Sequence, residues 1–136
     1  MSDSDVMKME VKAIVDSMRS KLVAISDKIH GLAEIGHEEF ETSKLLSKEL
    51  EEADFQVEKP VCELATAFKA TMPGKEKNGP AVALLAEMDA LAGIGHGCGH
   101  NIIATAILGA ALALSKIMLN PRRARLSENL KTSCLL

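Results

Sequence analysis

Apolar residues recur at positions 11, 14, 15, 18, 22, 25, 29 and 32. Those steps of three and four mark one face of an amphipathic helix and predict a single long helix from Val6 to about Leu32. Gly36 interrupts the pattern. A second helix is predicted from Glu38 to Ala53, with Phe40, Leu46 and Leu50 inward. Its acidic residues cluster at the N-terminal end, where the helix dipole favours them. Phe55 to Lys59 then alternates like a strand and stops at Pro60. Ala65 to Met72 reads as another strand, closed by Pro73-Gly74, and Lys75 to Pro80 reads as a polar turn.

Ala81 to Ala86 is a continuous apolar run between turn signals, which predicts a strand buried on both faces. Ile102 to Leu119 is apolar nearly all round. Its length makes a membrane span marginal, and Thr105, Ser115 and Lys116 interrupt it, so the expectation is a core helix and no membrane. Asn120-Pro121 should end that helix. A basic tail with no evident element completes the chain, and no internal repeat is visible. Helices alternating with short strands define the α/β class, here a partial α/β/α arrangement around a mixed sheet.

The chain has 136 residues, enough for one domain with a real core, and 47% apolar against 26% charged residues argues against disorder. Aromatic content changes the picture. Three Phe with no Tyr or Trp require an aliphatic core and leave almost nothing to stack on nucleic-acid bases. A net charge of −3 adds no basic footprint, so no nucleic-acid partner is expected. Charge is uneven: residues 1–60 hold 8 basic against 14 acidic side chains, residues 121–136 hold 4 against 1. Cys62, Cys98 and Cys134 are too few and too widely spaced for a disulfide framework. The polar, acidic start is unlike a secretory leader, and a cytoplasmic setting is expected.

Candidate chemistry concentrates between Glu87 and Asn101. That stretch holds two acids, His96, His100, Cys98 and four of the nine glycines. Glu87 and Asp89, two apart at the carboxyl end of a strand, should point to the same side in extended geometry. Strand carboxyl ends are where open α/β sheets bind ligands. Cys98 and His100, also two apart, offer a thiolate and an imidazole, both good ligands for zinc and similar ions. The helix that follows directs its positive end at the loop, which suits anionic groups. A dinucleotide fingerprint fails at Cys98, the P-loop ending is absent, and there is no Cys-x-x-Cys. A Cys98 nucleophile with His100 as base would have to meet across one residue. Two readings remain from the residues: a metal half-site, or a glycine-rich turn whose Cys and His bind nothing. His30 and His37 are expected to be structural or solvated.

The run from Gly79 to Leu114, GPAVALLAEMDALAGIGHGCGHNIIATAILGAALAL, resembles metallopeptidase family 20, the aminoacylase and carboxypeptidase-type amidohydrolases. In particular it resembles that family's dipeptidase and aminobenzoyl-glutamate hydrolase branch, including the peptidase domain-containing protein 2 dipeptidase group. His30-Gly-Leu-Ala-Glu34 with Gly36 and Glu38-Glu39, and Thr66-Ala-Phe-Lys-Ala70, match two further family segments. The resemblance spans roughly residues 10–119. It implies Cys98 and His100 as the first pair of metal ligands and Asp89 as the catalytic acid close behind the metal. Glu87 stands where other branches place a ligand histidine, which makes it a possible third. The implied cofactor is a divalent metal, zinc or manganese, and the implied substrates are dipeptides or acyl-amino acids. A homo-oligomer is implied for the complete protein.

The family's consecutive-glutamate base and its later histidine ligands have no match after His100. The expectation is therefore the N-terminal part of a catalytic domain over residues 1–119, a divergent tail over 120–136, and no turnover by this chain. A non-catalytic isoform that acts by binding a partner is the alternative. Two family prolines are replaced, by Ala33 and Ala92. The first should be a turn change of little consequence; the second should loosen the loop that orients Asp89.

Overall fold

Of the eight apolar positions of the N-terminal face, Ile25 and Ile29 are buried and the other six half-buried, and they lie along two helices rather than one. The computed structural model describes residues 2–72 and 81–119 in full and residues 131–135 by their backbone. Among these the elements run α1 (Asp3–Ser17), α2 (Arg19–Leu32), α3 (Phe40–Glu51), β1 (Gln56–Glu58), β2 (Lys69–Met72), β3 (Ala81–Leu85), α4 (His100–Met118) and β4 (Lys131–Leu135).

A capping box starts α1: the Ser2 hydroxyl accepts from the Asp5 N–H, and the Ser2 N–H donates to the Asp5 carboxylate at 3.1 Å. The expected continuous helix is corrected at Met18, which takes φ −99° and ends α1 while opening α2. The Met18 N–H bonds the Val15 carbonyl at 3.0 Å, a tightened last turn that lets the chain bend. Both halves can then lie on α4. Gly109 of α4 makes the close approach possible, because a Cβ there would stand 3.0 Å from a Leu22 methyl group.

Leu46 and Leu50 of α3 are fully buried, as expected, beside Thr42, Ser43 and Ser47. Phe40 is not. It is 53% exposed. At about 100° per residue its side chain falls roughly a quarter turn from the centre of the buried face.

The four strands form one mixed sheet in the order β1-β2-β4-β3. β1 and β2 are antiparallel, β2 and β4 are antiparallel, and β3 and β4 are parallel. Two expectations change here. The tail, read as carrying no element, supplies β4 from its last residues, lying between β2 and β3. And β3, expected to be buried on both faces, is exposed at every position except half-buried Leu84. Among the described residues it ends the strand order, and of its own residues only Leu84 packs against the core.

The core forms between α2, α3, α4 and β2, from Ile29, Leu46, Leu50, Phe68, Met72 and Leu108 among others. Ten of the nineteen residues of α4 are buried. The helix is long and apolar enough to cross a membrane by length and composition, yet over half of its most apolar window is buried within the protein. Buried Thr105 and Ser115 donate to their own helix, at the Asn101 and Leu112 carbonyls, so neither is an orphan in the core. The turn expected over 75–80 and the helix end at Asn120-Pro121 lie outside the described residues.

Candidate metal centre

Beyond Leu85 the chain stays extended, with Met88 and Ala90 buried while Glu87 and Asp89 point the other way. The two-residue period therefore places both carboxylates on one side, as expected. They meet His100 from opposite edges of its ring. Asp89 Oδ1 lies 2.8 Å from Nδ1 and Glu87 Oε2 lies 3.0 Å from Nε2. The Asp89 main-chain carbonyl is a second acceptor for Nδ1 at 3.1 Å. The Cys98 thiol donates a long bond of 4.0 Å to that same carbonyl.

The loop that carries these residues is closed on itself. Leu91 and Gly95 exchange N–H···O bonds of 2.9 Å in both directions, so the turn around Ala92 is pinned without the family's proline. Gly99 takes φ +81° as the residue that opens α4, a left-handed conformation that glycine adopts without strain. His100 is thus the first residue of α4 and faces back over the strand end. Asn101 anchors the helix start to α2 through a 3.1 Å bond to the Ser26 hydroxyl.

The segment 33–39 forms the other wall. Ala33 ends α2 with φ +46°, ψ +42°. A proline, fixed near φ −65°, cannot take that conformation, so this replacement alters the backbone more than a simple turn change would. Ile35 pairs with Ala90 in a parallel bridge, and the Ala90 N–H donates to the Glu34 carbonyl at 2.7 Å. The Glu34 carboxylate accepts from the backbone N–H groups of Glu41 and Thr42 at 2.9 and 2.8 Å. Burial pushes this carboxyl up, but those N–H groups, the nearby Thr42 hydroxyl and the charge of Lys59 outweigh it and hold it below the ordinary range. Glu39, which precedes α3, makes no cap bond of its own. Its buried carboxylate instead accepts from the Thr66 hydroxyl at 2.7 Å, and the Ser43 hydroxyl donates to the Thr66 carbonyl at 2.5 Å.

Sequence reasoning gave no role to His96, which is buried with neither ring nitrogen in a hydrogen bond of ordinary geometry. Its ring packs 6.0 Å from that of exposed His30. Burial holds its pKa below the ordinary imidazole value. The Ile29 carbonyl works against that shift and His30 and His100 with it, while Asp89 opposes it. His37 is an exposed turn residue at φ +68°. Glu34 and Glu39 lie in a segment matched to the family, but their capping and bridging depend on partners that only the fold brings near.

The residues singled out in the sequence are thus partly assembled. Glu87, Asp89 and His100 form one hydrogen-bonded group, and Cys98 touches it through the Asp89 carbonyl. Among the described residues, no three or more His, Cys, Asp or Glu side chains converge as a metal-holding group. The donor types nevertheless suit a borderline divalent ion: an imidazole nitrogen facing a carboxylate oxygen, with a thiol two residues away. Carboxylate and carbonyl acceptors on the far ring nitrogen are the arrangement that orients a ligating histidine. The residues fit part of a metal centre.

No protein-family model matches the chain. One of the chains of the p-aminobenzoyl-glutamate hydrolase of Escherichia coli is 36% identical over 119 residues, covering 75% of this chain and 24% of its own length. The human Xaa-Arg dipeptidase is 34% identical over 124 residues, covering 83% of this chain and 28% of its own. A crystal structure from Bacillus subtilis, described as a dinuclear metal-binding peptidase of the M20 family, superposes with a TM-score of 0.74 at 27% identity. It covers 89% of this chain and 35% of that one. The fold is thereby that of an M20-type α/β domain. The chain belongs with the M20 peptidases and amidohydrolases, and it spans about a quarter of the length of the curated relatives it matches.

Proposed function

We propose that this chain is the first part of a metal-dependent hydrolase that cleaves the amide bond of dipeptides or acyl-amino acids, with Cys98, His100 and Glu87 as metal ligands. Asp89 is the acid that holds His100 in place. One observation carries the reading: His100 Nδ1 is engaged by Asp89 at 2.8 Å, which turns Nε2 toward the Glu87 carboxylate at 3.0 Å. A divalent ion, zinc or manganese, would supply Lewis-acid polarisation of the amide carbonyl and a water activated at neutral pH. The overall reaction adds that water across the amide to give a carboxylate and an amine. In this reading residues 1–119 carry the likeness to the family, 120–136 diverge from it although 131–135 join the sheet as β4, and the complete protein is a cytoplasmic homo-oligomer. The free thiols of Cys62 and Cys98 agree with a reducing compartment.

The chain by itself is a metal half-site without turnover. A catalytic base must reach the attacking water within about 3 Å, and the described residues bring no such group beyond those already holding the ion. The test is titration of the purified chain with Co²⁺, read by thiolate-to-metal charge-transfer absorption. Binding should be measurable in the native chain and lost in both Cys98→Ser and His100→Ala. Co²⁺ binding unchanged in both variants would refute the ligand assignment. Chelator-sensitive hydrolysis of any dipeptide or acyl-amino acid by the purified chain would refute the half-site reading.

A further inference from the structure

The peptide unit between Asp89 and Ala90 is gripped on both sides. Its carbonyl faces His100 Nδ1 at 3.1 Å and the Cys98 thiol at 4.0 Å. Its N–H, belonging to Ala90, donates to the Glu34 carbonyl at 2.7 Å. A peptide unit is planar, with its C=O and N–H pointing in opposite directions. Fixing the N–H therefore aims the carbonyl. Glu34 is itself immobilised, because its two carboxylate oxygens take separate backbone N–H groups of the first turn of α3. These are charge-assisted bonds at a helix N-terminus, the stronger kind of cap contact.

We infer that Glu34 is a positioning residue of the metal loop: its side chain ties the 33–36 turn to α3, and its carbonyl orients the Asp89–Ala90 peptide that faces both Cys98 and His100. The inference rests on the ligand reading above for its metal arm, and on geometry alone for its other arm. Glu34 touches neither ring nor thiol. It acts through one peptide plane. Losing its carboxylate should free the turn, let the Asp89 carbonyl rotate, and leave the His100 ring without a fixed tautomer.

Two readouts test this in the 136-residue chain. ¹⁵N-edited NMR above the imidazole titration range reports the His100 tautomer, and Co²⁺ titration reports the affinity of the site. Native protein should show the Nδ1-protonated tautomer alone. Glu34→Ala should show a mixture, with Co²⁺ affinity about tenfold weaker, the size usual when a supporting contact behind a metal ligand is removed. Glu34→Gln keeps one acceptor oxygen for α3 and should recover part of both; it also carries the comparison if Glu34→Ala does not fold. Asp5→Ala, which removes the α1 cap far from the loop, should change neither readout. A folded Glu34 variant with the native tautomer and native affinity overturns the inference, as does an equal effect of Asp5→Ala. If Cys98→Ser and His100→Ala bind Co²⁺ like the native chain, the metal reading fails while the tautomer readout still decides the role of Glu34.

Discussion

Replacing Phe68 with alanine is expected to cost about 3–5 kcal/mol, the range for deleting a buried aromatic ring. Phe68 is fully buried and is the largest of the enclosed side chains by volume. The surrounding Ile29, Leu46, Leu50 and Leu108 are themselves fully enclosed, which limits collapse around the cavity. A domain of this size holds about 5–15 kcal/mol in total, so the loss is a large share of its stability. Urea denaturation followed by circular dichroism at low protein concentration measures it. Phe40→Ala is the matched control. Its ring is mostly exposed, and the expected change lies within about 0.5 kcal/mol of zero. Equal effects at the two positions would mean that the core is not organised around Phe68.

That contrast also shows what a sequence can and cannot carry. Periodicity found the face along which α2 packs on the core, with Ile25 and Ile29 buried, because burial of a helix stripe is written into steps of three and four; on α1 the same face is only half-buried. It did not find the bend at Met18, which involves neither glycine nor proline and is favoured by packing on α4. Phe40 was placed inward for its hydrophobicity, although its angular position sets it aside from the buried face. For β3 the apolar run was read correctly as a strand, but burial of a strand depends on what lies over and beside it. β4 is a further step removed. Five residues give no period to read, and their place between β2 and β3 is a non-local pairing.

The site divides along the same line. Glu87, Asp89, Cys98 and His100 stood out because unusual residue types were crowded into one glycine-rich stretch, and the spacing of Glu87 and Asp89 predicted their common side. The supporting wall was not legible as a wall. Glu34 reaches α3 and Ala90, Glu39 reaches Thr66, and His96 lies against His30, each across a separation with no local pattern. The family segments marked two of those stretches without saying what their side chains hold.

Asp89 is where the second large effect is expected. In Asp89→Ala the His100 ring loses its 2.8 Å carboxylate partner and keeps only the main-chain carbonyl at 3.1 Å. That carbonyl can still accept from Nδ1–H, so the ring is loosened rather than released. The negative charge behind the ring is gone altogether. Removing both orientation and charge should weaken Co²⁺ binding by about 10- to 100-fold. Asp89→Asn separates the two contributions. Its amide oxygen can still accept from Nδ1–H, so orientation survives while charge does not, and its loss should fall between native and alanine. Glu87→Gln acts on the other edge of the ring, where the carboxylate faces Nε2 at 3.0 Å, and should weaken binding as a lost ligand does. Calorimetric or absorption titrations of the three variants give the ordering. If Asp89→Ala binds Co²⁺ as tightly as the native chain while His100→Ala does not bind, the acid contributes nothing to the ligand, and its 2.8 Å contact is only part of the loop's own folding.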